Sequence, residues 1–159
     1  MAQTILTNFT GYSTNLALVN AVERTYQAPM DVSGRVRVGT FGYESSAASV
    51  DGTDIALCVL PEGAKILHIF YEHEAMGTTG ALDLGLAQLD GTVIDDDLFV
   101  AADDISSAGT NHLYPTAGAT TVGADMYTTT QECVLTATVD TANWAADKFL
   151  AGYVEYVVN

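Results

Sequence analysis

The stretch that decides the fold is residues 54–90, which read DIALCVLPEGAKILHIFYEHEAMGTTGALDLGLAQLD. Its first part, Asp54 to Leu60, is apolar at nearly every position, which is typical of a strand covered on both faces. A Pro-Glu-Gly turn ends it, and Ala64 to about Glu74 predicts a second strand. After a glycine-containing turn, Ala81 to Leu89 predicts a third. Three strands in close succession indicate an all-β domain.

The third strand shows a clean alternation. Leu82, Leu84 and Leu86 share one face, while small or polar residues occupy the other. Such a pattern predicts that one face belongs to the core and that the other meets solvent or a partner.

The second strand carries two histidines on opposite faces. By simple alternation, Ile66, His68 and Glu72 share one face with Phe70, whereas His73 lies on the other. His68 and His73 therefore cannot hold one metal ion from this strand. A His68/Glu72 pair lacks a third ligand, and two ligands are a weak zinc signal.

The bulk composition indicates an acidic globular protein of one domain. The 159 residues are 48% hydrophobic and 16% charged, and 20 Asp and Glu against 5 Lys and Arg give a formal net charge of −15. Nucleic-acid binding depends on cations that neutralise phosphates, so we expect no nucleic-acid partner. The same charge should repel anionic membranes, and no membrane partner is expected. The N-terminal residues lack a signal-peptide pattern, which predicts synthesis in a cytoplasm.

Residues 1–34 differ from the rest of the chain. They are polar and rich in turn residues, with one short helix predicted over Leu16 to Tyr26. We therefore divide the chain into an N-terminal arm, residues 1–34, and a β-sandwich domain, residues 35–159. The arm either reaches a neighbouring subunit or stays with its own domain, as a loose terminus or an edge strand. Its candidate contact residues are Phe9, Tyr12 and Leu16.

The next predicted strand, Arg35 to Tyr43, carries two of the five cations. Arg35 and Arg37 are two residues apart and thus share a face. Solvated charges beside an edge strand are the simpler interpretation, because exposed ion pairs contribute little. The alternative is a basic spot that meets acidic neighbours in an assembly.

An acidic connection, Asp90 to Gly109, follows the third strand. Asp95-Asp96-Asp97 and Asp103-Asp104 invite a calcium site, but the EF-hand pattern is absent. A solvated acidic loop is therefore the preferred interpretation, and no metal ligand is assigned.

The C-terminal part predicts further strands. Asn111 to Tyr127 is turn-rich, with short strands expected near Tyr114 and Thr121-Val122. Gln131 to Asp140 and Lys148 to Val158 alternate as strands, and Trp144 between them is expected to cover one end of the core. Seven or eight strands predict an antiparallel sandwich of the jelly-roll or immunoglobulin-like kind.

No catalytic or cofactor motif is present in the sequence. There is no phosphate-binding glycine loop, no GxSxG and no HExxH. Cys58 and Cys133 stand far apart, and two buried thiols are preferred over a disulfide or a metal pair. We therefore predict a protein that is not an enzyme and has no cofactor.

The run from Asp54 to Leu67, with Leu-Pro-Glu-Gly-Ala at its centre, resembles small virion structural proteins of tailed bacteriophages, of the head decoration or cement type. The strand that contains Leu82-Asp83-Leu84-Gly85 and the segments 34–38 and 150–158 fit the same layout. The resemblance implies a β-sandwich on the outer surface of a capsid, present as a dimer or trimer, that bridges subunits of the major capsid protein. It implies no catalytic residues.

The charge agrees with an exterior location, because a capsid interior is filled with polyanion that would repel this chain. Two other functions stay open. One is a phage tail, receptor-binding or carbohydrate-binding sandwich, although Tyr12, Tyr43 and Tyr71 are scattered over separate elements. The other is an enzyme with a diffuse carboxylate site, which so acidic a chain would imitate by chance.

Overall fold

The computed structural model describes residues 11–12, 35–46, 49–114 and 127–158, and these form a sandwich of two β-sheets. No helix occurs in these ranges. The strands are β1 (Gly11–Tyr12), β2 (Val36–Glu44), β3 (Asp54–Leu60), β4 (Ala64–His73), β5 (Ala81–Gln88), β6 (Val93–Asp104), β7 (Gly109–Leu113), β8 (Cys133–Asp140) and β9 (Phe149–Val158).

The strand order is that of a jelly roll. One sheet has the order β1-β3-β8-β5-β6 and the other β2-β9-β4-β7. Apart from the two-residue β1, the strands pair as a rolled-up hairpin: β2 with β9, β3 with β8, β4 with β7 and β5 with β6. All of these pairs are antiparallel, and the chain crosses between the sheets at almost every connection. The predicted antiparallel sandwich is confirmed.

The core lies between the sheets, where the leucine alternation predicted it. Leu82, Leu84 and Leu86 of β5 are fully buried and pack with the inward residues of β8. Trp144 is 3% exposed, and its Nε1–H donates to the carbonyl oxygen of Ala81 at 3.0 Å. The indole therefore covers one end of the core as expected.

A β-bulge in β4 makes one predicted face wrong. The pairing with β9 shifts between Ile66 and His68, so that Ile66 is 5% exposed in the core while His68 points out of the sandwich. An extra residue in one strand moves the following side chains to the opposite face, and simple alternation cannot anticipate it.

The acidic connection is a strand and not the predicted loop. β6 forms an edge of the five-stranded sheet, and Phe99 anchors it in the core with 5% of its surface exposed. Aspartate disfavours strands in general. At an edge, however, carboxylates can face water, and their charge discourages pairing with other chains.

The outer face of β5 is covered by the chain itself at one point. Between the pairs Leu84↔Val100 and Leu86↔Asp95, four residues of β6 oppose Gly85 alone. The backbone of β6 therefore folds over Gly85, and a Cβ there would lie 2.1 Å from the carbonyl oxygen of Asp95. The expectation that this face meets solvent or a partner is wrong for most of it, because Ala81, Gly85 and Ala87 are buried and Asp83 is partly exposed.

Both cysteines are free and buried, as the sequence predicts. Burial raises the pKa of the Cys58 thiol to about 12 and that of Cys133 to about 11. These thiols therefore act as core residues, because the reactive thiolate is not formed near neutral pH.

The backbone of Gly11 and Tyr12 pairs in parallel with Ile55 and Ala56 of β3. Phe9, Leu16 and the predicted helix lie outside the described residues, as do Thr121 and Val122. The boundary at residue 34 stays a prediction. The described residues include no helix long and apolar enough to cross a membrane.

Candidate interaction surface

The outer face of the sheet β2-β9-β4-β7 exposes apolar side chains. Phe41 and Tyr43 of β2 point into the core, so Val36 and Val38 point outward, with 54% and 55% of their surfaces exposed. On the same face, Phe149 of β9 is 50% exposed. Exposed apolar patches on soluble proteins commonly mark interaction sites.

Aromatic rings from three strands meet on this face. Cross-strand register places His112 of β7 beside Phe70 of β4, and Phe70 beside Tyr153 of β9. Residues directly opposite each other on one face of a sheet lie within contact distance. We use the name aromatic face for the outward surface that contains His68, Phe70, His112, Tyr114 and Tyr153.

The rings are in mutual contact. The ring centroids of Phe70 and Tyr153 lie 5.2 Å apart, and those of Phe70 and His112 lie 4.8 Å apart. Tyr114 stacks on His68 with centroids 4.4 Å apart and planes 10° from parallel. Tyr114 thus covers His68 and is itself 59% exposed at the edge of this group of rings.

A hydrogen bond joins the two histidines at the centre of the aromatic face. His68 Nε2 lies 3.2 Å from His112 Nδ1, and the carboxylate of Glu155 lies 3.6 Å from His68 Nδ1. Either histidine can be the donor of this hydrogen bond, because the roles of the ring nitrogens depend on the tautomer. The contacts with Glu155 and His112 hold the His68 ring from two sides.

His68 and Glu72, which the sequence offered only as a weak metal pair, have different surroundings. His68 contacts His112 and Glu155, and Glu72 is exposed farther along β4. Among the described residues, three potential ligand atoms lie within 4.8 Å of one another at Asp95, Asp96 and Asp97. Acidic groups on a surface commonly cluster in this way without an ion, so the cluster assigns no metal site.

The outer face beside β6 is rich in carboxylates. Asp83 of β5 lies there, and burial raises its pKa, although the N–H of Ala102 donates to it at 2.6 Å. Repulsion from Asp140, Asp96 and Asp97 raises it further. One outer surface of the sandwich is thus aromatic and the other is strongly acidic.

The two predicted cationic contact residues do not lie in the aromatic face. Arg35 and Arg37 are both exposed, as expected. Arg35 precedes β2. Arg37 lies opposite Tyr156 of β9, on the side of β2 that faces the other sheet, near one end of the sandwich. Burial raises the pKa of Tyr156, and the nearby Arg37 opposes that shift. Their role as contact residues stays a prediction.

Sequence reasoning missed His112, Phe70 and Tyr153 as members of one surface. The three residues belong to strands that are distant along the chain and adjacent only in the sheet. Alternating aromatic residues in β4 and β9 are the signal that could have indicated it.

No protein-family model matches this chain, and no curated protein matches it either. Solved structures with the same fold do exist. A chain in the structure "Capsid of Ralstonia phage GP4" aligns with a TM-score of 0.66 at 22% identity, over 81% of this chain and 88% of that chain. A chain of the cyanophage Pam1 capsid asymmetric unit aligns with a TM-score of 0.59 at 19% identity, over 87% of this chain and 99% of that chain.

A third match is a chain in the acidic stable capsid structure of Helicobacter pylori bacteriophage KHP30. It aligns with a TM-score of 0.55 at 17% identity, over 80% of this chain and 92% of that chain. At these identities the likeness concerns the fold. The chain thus has a jelly-roll fold similar to that of chains from three bacteriophage capsids.

Proposed function

We propose that this protein is a non-enzymatic structural protein of a tailed-phage virion, which decorates the outer surface of the capsid and stabilises it by bridging major capsid subunits. One observation carries the proposal: the jelly roll matches chains in three phage capsid structures over at least 80% of both partners. Because each alignment covers at least 80% of both chains, the simplest explanation is that these proteins share one structural module.

The electrostatics support an exterior position. A net charge of −15 disfavours contact with packaged nucleic acid, whereas on the outside it keeps the free chain soluble. The acidic surface around Asp83 and β6 suits exposure to solvent. The aromatic face, in contrast, suits burial against protein.

The hydrogen bonding of the buried polar side chains agrees with a purely structural role. Every buried side-chain nitrogen and oxygen in the described part of the chain has a hydrogen-bond partner. Catalytic sites commonly hold strained or poorly satisfied polar groups in a cleft. The histidine pair instead lies on an open sheet face with its contacts satisfied.

We further propose that the decorating unit is a dimer or trimer and that residues 1–34 reach a neighbouring subunit, with Phe9, Tyr12, Leu16, Arg35 and Arg37 as contacts. Deleting residues 2–10 tests the arm while it leaves the pairing of Gly11–Tyr12 with β3 in place. The truncated chain should fold with an unchanged melting temperature and bind shells more weakly. Unfolding on deletion would place these residues in the domain itself.

The decoration proposal is tested with shells of the phage that encodes the chain, stripped of this protein. Added protein should cosediment with the shells in many copies, raise the temperature at which they disrupt, and appear on the outer surface by cryo-electron microscopy. Density on the tail alone, or the absence of binding, would refute the proposal.

The second candidate is a carbohydrate-binding sandwich, which the aromatic face makes more plausible than the scattered tyrosines of the sequence did. Phe70, Tyr114 and Tyr153 gather on one surface, and aromatic rings are common platforms for sugars. A glycan array with the free chain separates the two candidates. Micromolar binding to a defined glycan, together with no binding to shells, would favour this alternative.

A further inference from the structure

The two outer faces of the sandwich differ in the exposed residues that they offer to a partner. The face of β2-β9-β4-β7 carries Val36 and Val38, with Tyr114 and Phe149 beyond them. The opposite sheet exposes Val93 beside the carboxylates of β6. Large exposed apolar groups on both sheets allow a matched comparison of the two faces.

We infer that the aromatic face, extended by Val36 and Val38, is the surface that docks on the shell, and that its occupant is a protein surface that combines apolar side chains with arginine or lysine. The inference rests on the proposed function. It deepens that function by naming the contact surface and the chemistry of the partner.

The charged side chains on this face indicate the chemistry of the partner. The register places Glu44, Glu72 and Glu155 on the outward side of this sheet, with Lys65 as a cation there. Glu155 lies between Val38 and His68 within the face, and Glu72 and Glu44 lie toward one end of it, so the face offers carboxylates to a partner that carries cations. A second copy is disfavoured on this face, because its own glutamates and its −15 charge would oppose the same groups.

The size of the face limits the strength of one contact. The four strands have 9, 10, 10 and 5 residues, and at about 3.4 Å per residue and about 4.8 Å between strands they cover roughly 550 Å². A stable interface buries about 800 Å² on each partner, so one copy alone should bind weakly. Firm attachment then requires several linked copies or a second contact, whose effects multiply.

The test compares Val38→Glu with Val93→Glu in the cosedimentation assay with stripped shells. Val38 and Val93 are 55% and 46% exposed, so each substitution places a charge at an accessible position, and the two differ in the face that receives it. We expect Val38→Glu to weaken shell binding at least tenfold and Val93→Glu to change it less than twofold. Melting curves of the free variants control for folding, and Val36→Glu replaces Val38→Glu if the latter is unstable.

A charge reversal tests the partner's chemistry in the same assay. Glu72→Lys should weaken binding severalfold and reduce its dependence on salt, while Asp96→Lys on the acidic side should leave it unchanged. Equal effects of the valine variants, or stronger binding by Glu72→Lys, would overturn the inference and leave the decoration role intact. Failure of the wild-type chain to bind shells would overturn the decoration role and this inference with it.

Discussion

Replacement of Gly85 by alanine should detach the acidic edge strand from the sheet. The added Cβ would lie 2.1 Å from the carbonyl oxygen of Asp95 and 2.4 Å from two backbone atoms of Asp96. Real Cβ contacts essentially never fall below 3.0 Å, so the two strands must separate by about 0.9 Å. All three atoms belong to the backbone, so no side-chain rotation can relieve the contact.

The expected magnitude follows from overpacking, which costs about 1–3 kcal/mol. Because β6 must move as a backbone segment, we expect about 2–3 kcal/mol and a fall in melting temperature of roughly 5–10 °C. Urea unfolding of Gly85→Ala measures the loss as a shift of the midpoint. Gly42→Ala is the matched control, since a Cβ there meets nothing within 4 Å.

Equal stabilities of the two alanine variants, within about 0.5 kcal/mol, would show that β6 does not lie over Gly85. A large loss of stability in Gly42→Ala without one in Gly85→Ala would lead to the same conclusion. Either result would remove the explanation for the buried outer side of β5 and for the raised pKa of Asp83.

Three further predictions concern charge, thiols and a buried hydroxyl. Because burial and neighbouring carboxylates raise the pKa of Asp83, its ionised form opposes folding at pH 7, so Asp83→Asn should raise the melting temperature there. The gain should vanish below about pH 4, where aspartate is protonated in the folded and the unfolded chain alike, and a gain that persists at pH 3 would contradict the electrostatic cause. Cys58 and Cys133 should resist a thiol reagent at pH 8 until denaturant is added, whereas labelling of the native chain within minutes would show that the core opens readily. Tyr71 is 1% exposed and its hydroxyl donates to Asp103 at 2.7 Å, so Tyr71→Phe should cost about 1–2 kcal/mol in urea unfolding, and an unchanged midpoint would show that this bond contributes nothing.

The strand positions could be predicted from the sequence because the pattern of apolar and polar residues indicates which side chains are buried. Asp54 to Leu60 coincides with β3, and Leu82, Leu84 and Leu86 are the buried face of β5. The first prediction uses the continuous apolar run of a strand covered on both faces, and the second uses the alternation that a single buried face requires. The antiparallel sandwich followed from the number of such strands.

The local sequence pattern gave a wrong prediction where pairing with a neighbouring strand determined the structure. β6 is rich in aspartate and was predicted as a loop, yet it becomes a strand because β5 offers it an edge and water solvates its carboxylates. Ile66 was assigned to the face of His68, yet the bulge against β9 turns it into the core. Neither effect is visible in the residues of one strand alone.

The jelly-roll strand order and the candidate interaction surface were decided by the tertiary structure. His68 and His112 are 44 residues apart in the chain, and the pairing of β4 with β7 brings His68 Nε2 within 3.2 Å of His112 Nδ1. Glu155 joins them because β9 lies on the other side of β4. By itself, the sequence determined an acidic β-sandwich with no catalytic motif, because burial and net charge depend on residue type and local period. Which outer face became aromatic and which became acidic depended on strand order, which is a property of long-range pairing.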